Sequence, residues 1–191
     1  MLLTSLRATG LLLVLCCMIY PALVTGLGQA LFPDEANGSL VSGEDGQILG
    51  SSLVGQAFSS PAYLQGRPSA AGRGYDGAAS GGSNLGTGSR ALADRRAADR
   101  ARLEAENPQA PGPVPEVLLA ASGSGLDPDL PLDAARWQVP RVAAARGVAP
   151  ERVSALIDEL ARGRDLGFLG EPTLRVLSFN LALDRRFPVS R

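Results

Sequence analysis

The chain offers few residues that could carry out covalent or acid–base chemistry. Histidine is absent, and the two cysteines, Cys16 and Cys17, are adjacent within an apolar run near the N-terminus. Without His, the commonest general base, the usual Ser or Cys triads and the usual zinc ligand sets are missing. The sequence therefore predicts no catalytic residue and no metal site, which excludes most hydrolase functions.

Two segments rich in Gly and Ser are the strongest candidates for binding a small ligand. One covers residues 80–86, and the other consists of Ser122, Gly123, Ser124 and Gly125. Backbone N–H groups in such segments can cradle a phosphate. The chain contains no Lys, however, so neither segment matches a Walker phosphate-binding loop. Tight turns are the simpler interpretation of both.

Two further groups of polar residues have a functional and a structural interpretation. Trp137 and Gln138 combine a stacking surface with an amide that could hydrogen-bond a base, although a single Trp in a domain with few aromatic residues more often belongs to the core. Asp127, Asp129 and Asp133 could bind a hard cation such as calcium. The prolines among them favour turns instead.

The charge balance argues against a nucleic-acid partner. After residue 32 the chain carries 17 Arg, no Lys and 19 acidic residues, which gives a formal charge of −2. Residues 141–160 resemble a helix-turn-helix, but the second helix carries Glu151, Asp158 and Glu159 against Arg152 alone. A surface that binds DNA would be basic.

Residues 8–32 form an uninterrupted uncharged run that is long enough to cross a bilayer as a helix. Arg7 precedes it, and Asp34 and Glu35 follow it. By the positive-inside rule we expect residues 1–7 in the cytoplasm, a transmembrane helix over 8–32, and a domain of residues 33–191 outside the cytoplasmic membrane. The alternative is a signal peptide cleaved near Val24-Thr25-Gly26.

We expect one small, loop-rich α+β domain after this run, because about 160 residues suit a single core. Short strands are predicted in residues 37–64, an irregular loop over 65–89, and a helix over 89–106 that Ser89 caps. A buried strand is predicted over 114–121, a helix capped by Asp133 that Pro140 interrupts, and two helices over 141–145 and 151–160. Alternation predicts a closing strand over 173–183.

Several motifs taken together resemble the C subunit of the Kdp potassium-transporting ATPase, a family of membrane proteins. They cover nearly the whole chain, in an order and spacing that chance rarely reproduces. In chain order they are Ala36-Asn37-Gly38-Ser39-Leu40, Gly50-Ser51-Ser52-Leu53-Val54-Gly55-Gln56-Ala57-Phe58, Tyr63, Arg67-Pro68-Ser69-Ala70, Tyr75-Asp76, Ser80-Gly81-Gly82-Ser83-Asn84-Leu85-Gly86, Ala121-Ser122-Gly123-Ser124-Gly125-Leu126-Asp127-Pro128, Trp137-Gln138-Val139-Pro140-Arg141-Val142-Ala143, Ala145-Arg146-Gly147, Gly167-Phe168-Leu169-Gly170-Glu171-Pro172 and Asn180-Leu181-Ala182-Leu183-Asp184.

The resemblance implies a non-catalytic accessory subunit of a bacterial inner-membrane complex for high-affinity, ATP-driven potassium uptake. Its partners would be a channel-like subunit that carries potassium, a P-type ATPase subunit that forms the aspartyl phosphate, and a small membrane peptide. No cofactor would be bound tightly. Residues in the matching motifs that are candidates for contacting the partners are Gln56, Phe58, Tyr63, Arg67, Ser83, Asn84, Asp127 and Arg141.

The family is also described as a catalytic chaperone that raises the affinity of the ATPase subunit for ATP, with a glutamine proposed to contact the nucleotide. Gln138 matches that glutamine, and residues 122–125 would lie in the same site. This role conflicts with the expected topology, because ATP is cytoplasmic whereas the domain is expected outside. The alternative function is a secreted or anchored binding domain unrelated to transport.

Overall fold

The structure is a computed structural model that describes residues 1–43 and 45–189. The chain divides into two units, Met1–Ser51 and Ser52–Arg191. The first contains an apolar helix, a one-turn helix and a β-hairpin, and the second contains the remaining helices together with a two-stranded antiparallel sheet. The predicted α+β class is confirmed.

The apolar helix α1 spans Leu2–Leu31, and an 18-residue window within it has a mean hydropathy of 2.2. Within the described residues it is the one helix whose length and composition would allow it to cross a membrane. None of its side chains is buried within the protein. Its turn at Leu15–Ile19 is π-helical, and the Tyr20 N–H donates to the Leu15 carbonyl. Since Pro21 follows directly, the wider turn provides room for a ring that would crowd an α-helical turn.

The rest of the first unit is short. A helical turn, α2, spans Pro33–Ala36. Strands β1 (Leu40–Ser42) and β2 (Ile48–Ser51) then pair antiparallel, with an irregularity in register after Val41. These strands confirm the prediction of short strands in this part of the chain.

The second unit begins with a long segment that contains no helix or strand up to Ser89. The irregular loop predicted over residues 65–89 is confirmed, whereas the strands predicted over 37–64 end at Ser51. The elements of the second unit, in chain order, are α3 (Arg90–Glu106), a 3₁₀ turn (Glu116–Leu118), β3 (Asp129–Pro131), α4 (Leu132–Trp137), α5 (Val139–Arg146), α6 (Pro150–Leu160), β4 (Thr173–Arg175) and α7 (Val176–Arg186). Strands β3 and β4, which lie far apart in the chain, pair as a second two-stranded antiparallel sheet, in which Leu130 lies opposite Leu174.

Local sequence signals explain where several of these helices start and stop. The Ser89 hydroxyl accepts a hydrogen bond from the Leu92 N–H and so caps α3, as predicted. Helix α5 ends at Gly147, which has φ of 64°, a conformation that costs little for a residue without Cβ. Pro150 occupies the first position of α6, where its missing N–H costs nothing.

The core of the second unit lies where α4, α5, α6, α7 and the β3–β4 sheet meet. Its largest fully buried side chain is Phe179 on α7. Burying such a side chain contributes roughly 1.5–3 kcal/mol to stability. Trp137 is 3% exposed and belongs to the core cluster, so its interpretation as a core residue is confirmed.

Three secondary-structure predictions are wrong. Residues 114–121 are buried in part but form a 3₁₀ turn rather than a strand; a short apolar run does not reveal its backbone conformation. Residues 176–183 are helical, and their buried positions recur at the three- and four-residue spacing of a helix. Asp133 lies in the first turn of α4, which begins at Leu132, so it is not the cap.

We predict that Gly125→Ala destabilises the second unit by at least about 2 kcal/mol. Gly125 has φ of 69°, and an added Cβ would lie 2.6 Å from the Ala71 nitrogen and 2.7 Å from the Gly81 carbonyl oxygen. Gly123→Ala is the matched control, because a Cβ there meets open space. Thermal unfolding of the purified chain in detergent measures both. Equal melting temperatures for the two variants would contradict this close packing.

Candidate functional site

The candidate functional site is built around residues 61–65, which we call the clamped segment. It belongs to no helix or strand, yet Ala62 and Leu64 within it are buried. Buried backbone N–H and C=O groups require hydrogen-bond partners. The partners here are side chains from α5, from α7 and from Gln138, the residue between α4 and α5.

Two side-chain amides each pair with one residue of the clamped segment. Oδ1 of Asn180 accepts from the Leu64 N–H at 2.9 Å, and its Nδ2 donates to the Leu64 carbonyl at 3.0 Å. Gln138 does the same with Gln65, accepting from its N–H at 2.9 Å and donating to its carbonyl at 3.0 Å. Each amide thus supplies the pair of hydrogen bonds that a residue on a neighbouring antiparallel strand would supply.

The amide of Gln138 is fully used by these and two further bonds. Its Oε1 also accepts from Nη2 of Arg141 at 2.6 Å, and its Nε2 donates to the Ala134 carbonyl at 3.4 Å. A side-chain amide has two N–H donors and two acceptor lone pairs. Gln138 is also completely buried. In this conformation, therefore, it has no hydrogen-bonding capacity left for a ligand.

Two arginines on α5 hold the other end of the clamped segment. Nη1 of Arg141 donates to the Pro61 carbonyl at 2.8 Å, and Nε of Arg146 donates to the Ala62 carbonyl at 2.7 Å. Nη1 of Arg146 also reaches the Phe187 carbonyl at 2.8 Å. Burial lowers the pKa of the Arg141 guanidinium, the nearby Arg102 adds to this effect, and Glu106 opposes it.

Arg146, Tyr63 and Asp184 form a closed triangle beside this segment. Nη2 of Arg146 lies 2.9 Å from Oδ1 of Asp184, and the Tyr63 hydroxyl donates to Oδ2 of the same carboxylate at 2.9 Å. The Arg146 guanidinium also lies over the Tyr63 ring, 4.9 Å from its centre. The Arg146 side chain is completely buried. Its ion pair with Asp184 offsets part of the free-energy cost of removing the charge from water.

The Gly- and Ser-rich residues 122–125 bind another part of the same chain. The Gly125 carbonyl accepts from the Ser69 hydroxyl at 2.6 Å, and the Ser124 carbonyl accepts from the Gly81 N–H at 2.8 Å. Ser122 is buried, and its hydroxyl has no partner within the described protein. These contacts fit the interpretation of both Gly/Ser segments as turns, because residues 122–125 hydrogen-bond to Gly81 of the other segment.

Arg67, Asp127 and Tyr75 connect these two parts of the site. Nη1 of Arg67 lies 2.9 Å from Oδ2 of Asp127, and the Tyr75 hydroxyl donates to the Arg67 carbonyl at 2.5 Å. Burial, with a smaller effect from the charge of Asp127, raises the pKa of Tyr75 to about 12. The phenol is therefore a neutral donor at physiological pH.

A cavity of about 340 Å³ lies beside the clamped segment. Of the predicted nucleotide residues, Gln138 lines it and residues 122–125 do not. Its lining combines an aromatic ring, Phe58, with charged side chains from α3. These are Asp99, Arg102 and Glu106, among which Arg102 lies 2.9 Å from Glu106 and 3.7 Å from Asp99. The positive charge of Arg102 is thus already balanced by neighbouring carboxylates.

The remaining predicted residues are dispersed over the surface of the second unit. Gln56, Phe58 and Ser83 are half-buried, and Asn84 is exposed with φ of 49°. Asp129 lies 3.2 Å from the Nε of Arg175. Among the described residues no group of three or more Asp, Glu or Cys side chains could together hold a metal ion.

Sequence reasoning did not select Asn180, Arg146 and Asp184 as site residues, although each lies in a motif that carries the resemblance. Their partners in the clamped segment are far away in sequence: Asn180 binds a residue 116 positions earlier, and Arg146 one 84 positions earlier. The available signal for Asn180 was a polar residue among the apolar residues 176–183, but the strand predicted there hid the helical face on which it lies. A buried Asn needs a partner.

The fold and the site define a membrane-associated protein with one candidate span and a small domain whose motif residues bind the protein's own backbone. A family model described as KdpC, the c chain of K⁺-transporting ATPase, matches residues 2–185. The chain belongs to the KdpC family.

Relatives agree with this over almost their full lengths. The potassium-transporting ATPase KdpC subunit of Myxococcus xanthus is 56% identical over 185 residues, which are 97% of this chain and 88% of the relative. Those of Caulobacter vibrioides and Methylibium petroleiphilum are each 50% identical, over 96% and 97% of this chain and 92% and 99% of the relatives. A domain unrelated to transport, the alternative function, finds no support among them.

We predict that Gln138→Ala destabilises the domain by about 2–4 kcal/mol, because it leaves the partly buried N–H and C=O of Gln65 and a donor of Arg141 without partners. Gln109→Ala removes the same side chain from an exposed position and should change stability by no more than about 0.5 kcal/mol. Urea unfolding of the second unit, followed in the full-length chain, distinguishes them. A urea unfolding curve for Gln138→Ala that matches the wild type would show that the amide does not clamp the segment.

Proposed function

We propose that the chain is a non-catalytic accessory subunit of an ATP-driven potassium-uptake complex, required for assembly and activity of the complex. The main support is what the polar side chains of the motifs bind. They hydrogen-bond to the backbone of the clamped segment, and they are Gln138, Asn180, Arg141 and Arg146. Such a network preserves the shape of a binding domain. The family to which the chain belongs, the c chain of K⁺-transporting ATPase, supports the proposed complex.

The proposed partners are a channel-like subunit that carries potassium, a P-type ATPase subunit, and a small membrane peptide. We place α1 across the bacterial cytoplasmic membrane, with the span over residues 8–32, residues 1–7 inside and residues 33–191 outside. Support comes from Arg7 on one side of the apolar run and Asp34 and Glu35 on the other, since basic residues are retained on the cytoplasmic side.

A second proposal is that the subunit raises the affinity of the ATPase subunit for ATP. The cavity beside Gln138 favours it, because Phe58 and Arg102 supply an aromatic surface and a cation. A direct bond from Gln138 to nucleotide would require loss of a bond to Gln65 or Arg141, and one from Arg102 would require loss of its ion pair with Glu106. Arg102 is the residue to test, because it is exposed whereas Gln138 is completely buried. Arg102→Gln in the assembled complex should then raise the apparent KM for ATP, and an unchanged KM would contradict this role.

The placement of the domain has a direct test, because every cysteine of the sequence lies in α1. In a chain with Cys16→Ala and Cys17→Ala, a single cysteine at Ala101, an exposed position on α3, should react with a membrane-impermeant maleimide in spheroplasts. A single cysteine at Leu3 is the matched control and should react only after the membrane is permeabilised.

The opposite pattern of labelling would place the domain in the cytoplasm and favour the nucleotide role. If the chain with the Ala101→Cys reporter were released from the membrane in a shortened form, the apolar run would be a cleaved signal peptide.

Purification of the tagged chain in mild detergent tests the accessory role itself: the potassium-carrying and ATPase subunits should co-elute with potassium-stimulated ATPase activity. A chain that elutes alone would contradict it.

A further inference from the structure

Helix α3 is fixed to the rest of the second unit by few apolar contacts. Of its 17 residues, all of which the structure describes, only Leu103 is buried. The face on which Leu103 lies continues toward the start of the helix with half-buried side chains that are mostly charged, and these are Leu92, Arg95, Arg96, Asp99 and Arg100. A surface helix normally owes its attachment to an apolar face. The attachment of α3 therefore relies on polar contacts.

Two of these polar contacts converge on one carboxylate. Glu116, in the 3₁₀ turn, forms ion pairs with Arg96 and with Arg100, the latter at 3.1 Å. The turn itself is fixed to the core by the buried Leu118 and by Leu119, which follows it. The carboxylate of Glu116 is 64% exposed and each arginine is 39% exposed. Ion pairs as exposed as these are weak, and salt screens them.

The two ends of α3 are attached differently. At its C-terminal end Asn107 is buried, and Nδ2 of Asn107 donates to the carbonyl of Trp137 in the core at 2.6 Å. Pro108 follows directly, so the helix cannot continue. At the N-terminal end residues 84–88 are all exposed, and a segment with so few buried contacts opens at low cost. The C-terminal end is thus anchored, whereas the N-terminal end is free to swing.

The anchored half of α3 forms one wall of the 340 Å³ cavity beside the clamped segment. The α3 side chains that line it are Asp99, Arg102, Leu103 and Glu106. Two hydrogen bonds link this wall to Gln65, which also lines the cavity: its Nε2 donates to Glu106 at 3.5 Å, and Arg102 donates to its Oε1 at 3.4 Å. Both are long for hydrogen bonds of these groups. A rotation of α3 about Asn107 would break them and widen the cavity.

We infer that α3 is a hinged lid over this cavity, which turns about Asn107 and is kept closed by the ion pairs of Glu116 with Arg96 and Arg100. The lid controls how readily a ligand enters the cavity. It is a property of the second unit itself, so it does not depend on whether the ligand is a nucleotide. Loss of the charge of Glu116, or a higher salt concentration, shifts the equilibrium toward the open form.

The first experiment measures the reactivity of a thiol on the cavity wall, in the full-length chain with Cys16→Ala and Cys17→Ala in detergent. Leu118→Cys places the thiol at a buried position that lines the cavity. Adding Glu116→Gln should raise its rate of reaction with a maleimide about fivefold or more, as expected for the loss of two exposed ion pairs. Glu104→Gln, at an exposed position on α3, is the matched control and should leave the rate unchanged.

A thiol at Leu119 separates lid opening from unfolding of the unit. Leu119 is as buried as Leu118 but does not line the cavity. When Glu116→Gln is added, the rate for Leu119→Cys should therefore stay the same. An equal rise at both positions would show that the whole unit unfolds, and an unchanged rate at Leu118→Cys would show that α3 does not open. Either result would overturn the inference.

The second experiment measures the hinge with pairs of spin labels at exposed positions, which do not disturb the core. Labels at Ala93→Cys on α3 and Ala155→Cys on α6 should show a second population of distances when Glu116→Gln is added. Labels at Ala105→Cys, next to the hinge, and Ala155→Cys should keep a single one. A second population for both pairs would mean that α3 detaches, and one for neither would mean that it is rigid. Both outcomes contradict a hinge at Asn107.

Discussion

The second unit depends on supplying hydrogen bonds to a buried stretch of backbone that has no neighbouring strand. Leu64 is completely buried, and an unpaired backbone group in such a place costs about 1–3 kcal/mol. Asn180 and Gln138 provide four of the required bonds. These bonds join the irregular N-terminal half of the unit to its helical C-terminal half, so the fold relies on a few polar side chains as well as on its apolar core.

This arrangement accounts for many of the polar residues in the motifs of this chain. Arg146 and Asp184 are used, with Tyr63, to fix the clamped segment against α7, and Gly125 lets the Gly/Ser turn approach Ala71 closely. Residues of this kind would be read as a ligand site from sequence alone. In the structure they preserve the shape of a domain, which is what a subunit that binds other subunits requires.

Local signals allowed much of the helical structure to be predicted. Ser89, Gly147 and Pro150 mark helix ends by their own chemistry, and the structure has ends at or beside all three. Residues 176–183 were misread as a strand because alternation over a short stretch resembles helical spacing. The clamp could not be predicted, because the amide of Gln138 meets a backbone 73 positions away. Nor could the exposure of Phe168, since an apolar residue in a loop is equally suited to a core.

The central claim is that side-chain amides protect the backbone of the clamped segment as a sheet would, and amide hydrogen exchange measures this most directly. Our account predicts that the N–H groups of Leu64 and Gln65 exchange as slowly as those in the middle of α6, although they belong to no regular element. Exchange as fast as that of the exposed residues 162–171 would contradict it, and would leave the amides of Gln138 and Asn180 available for binding a ligand.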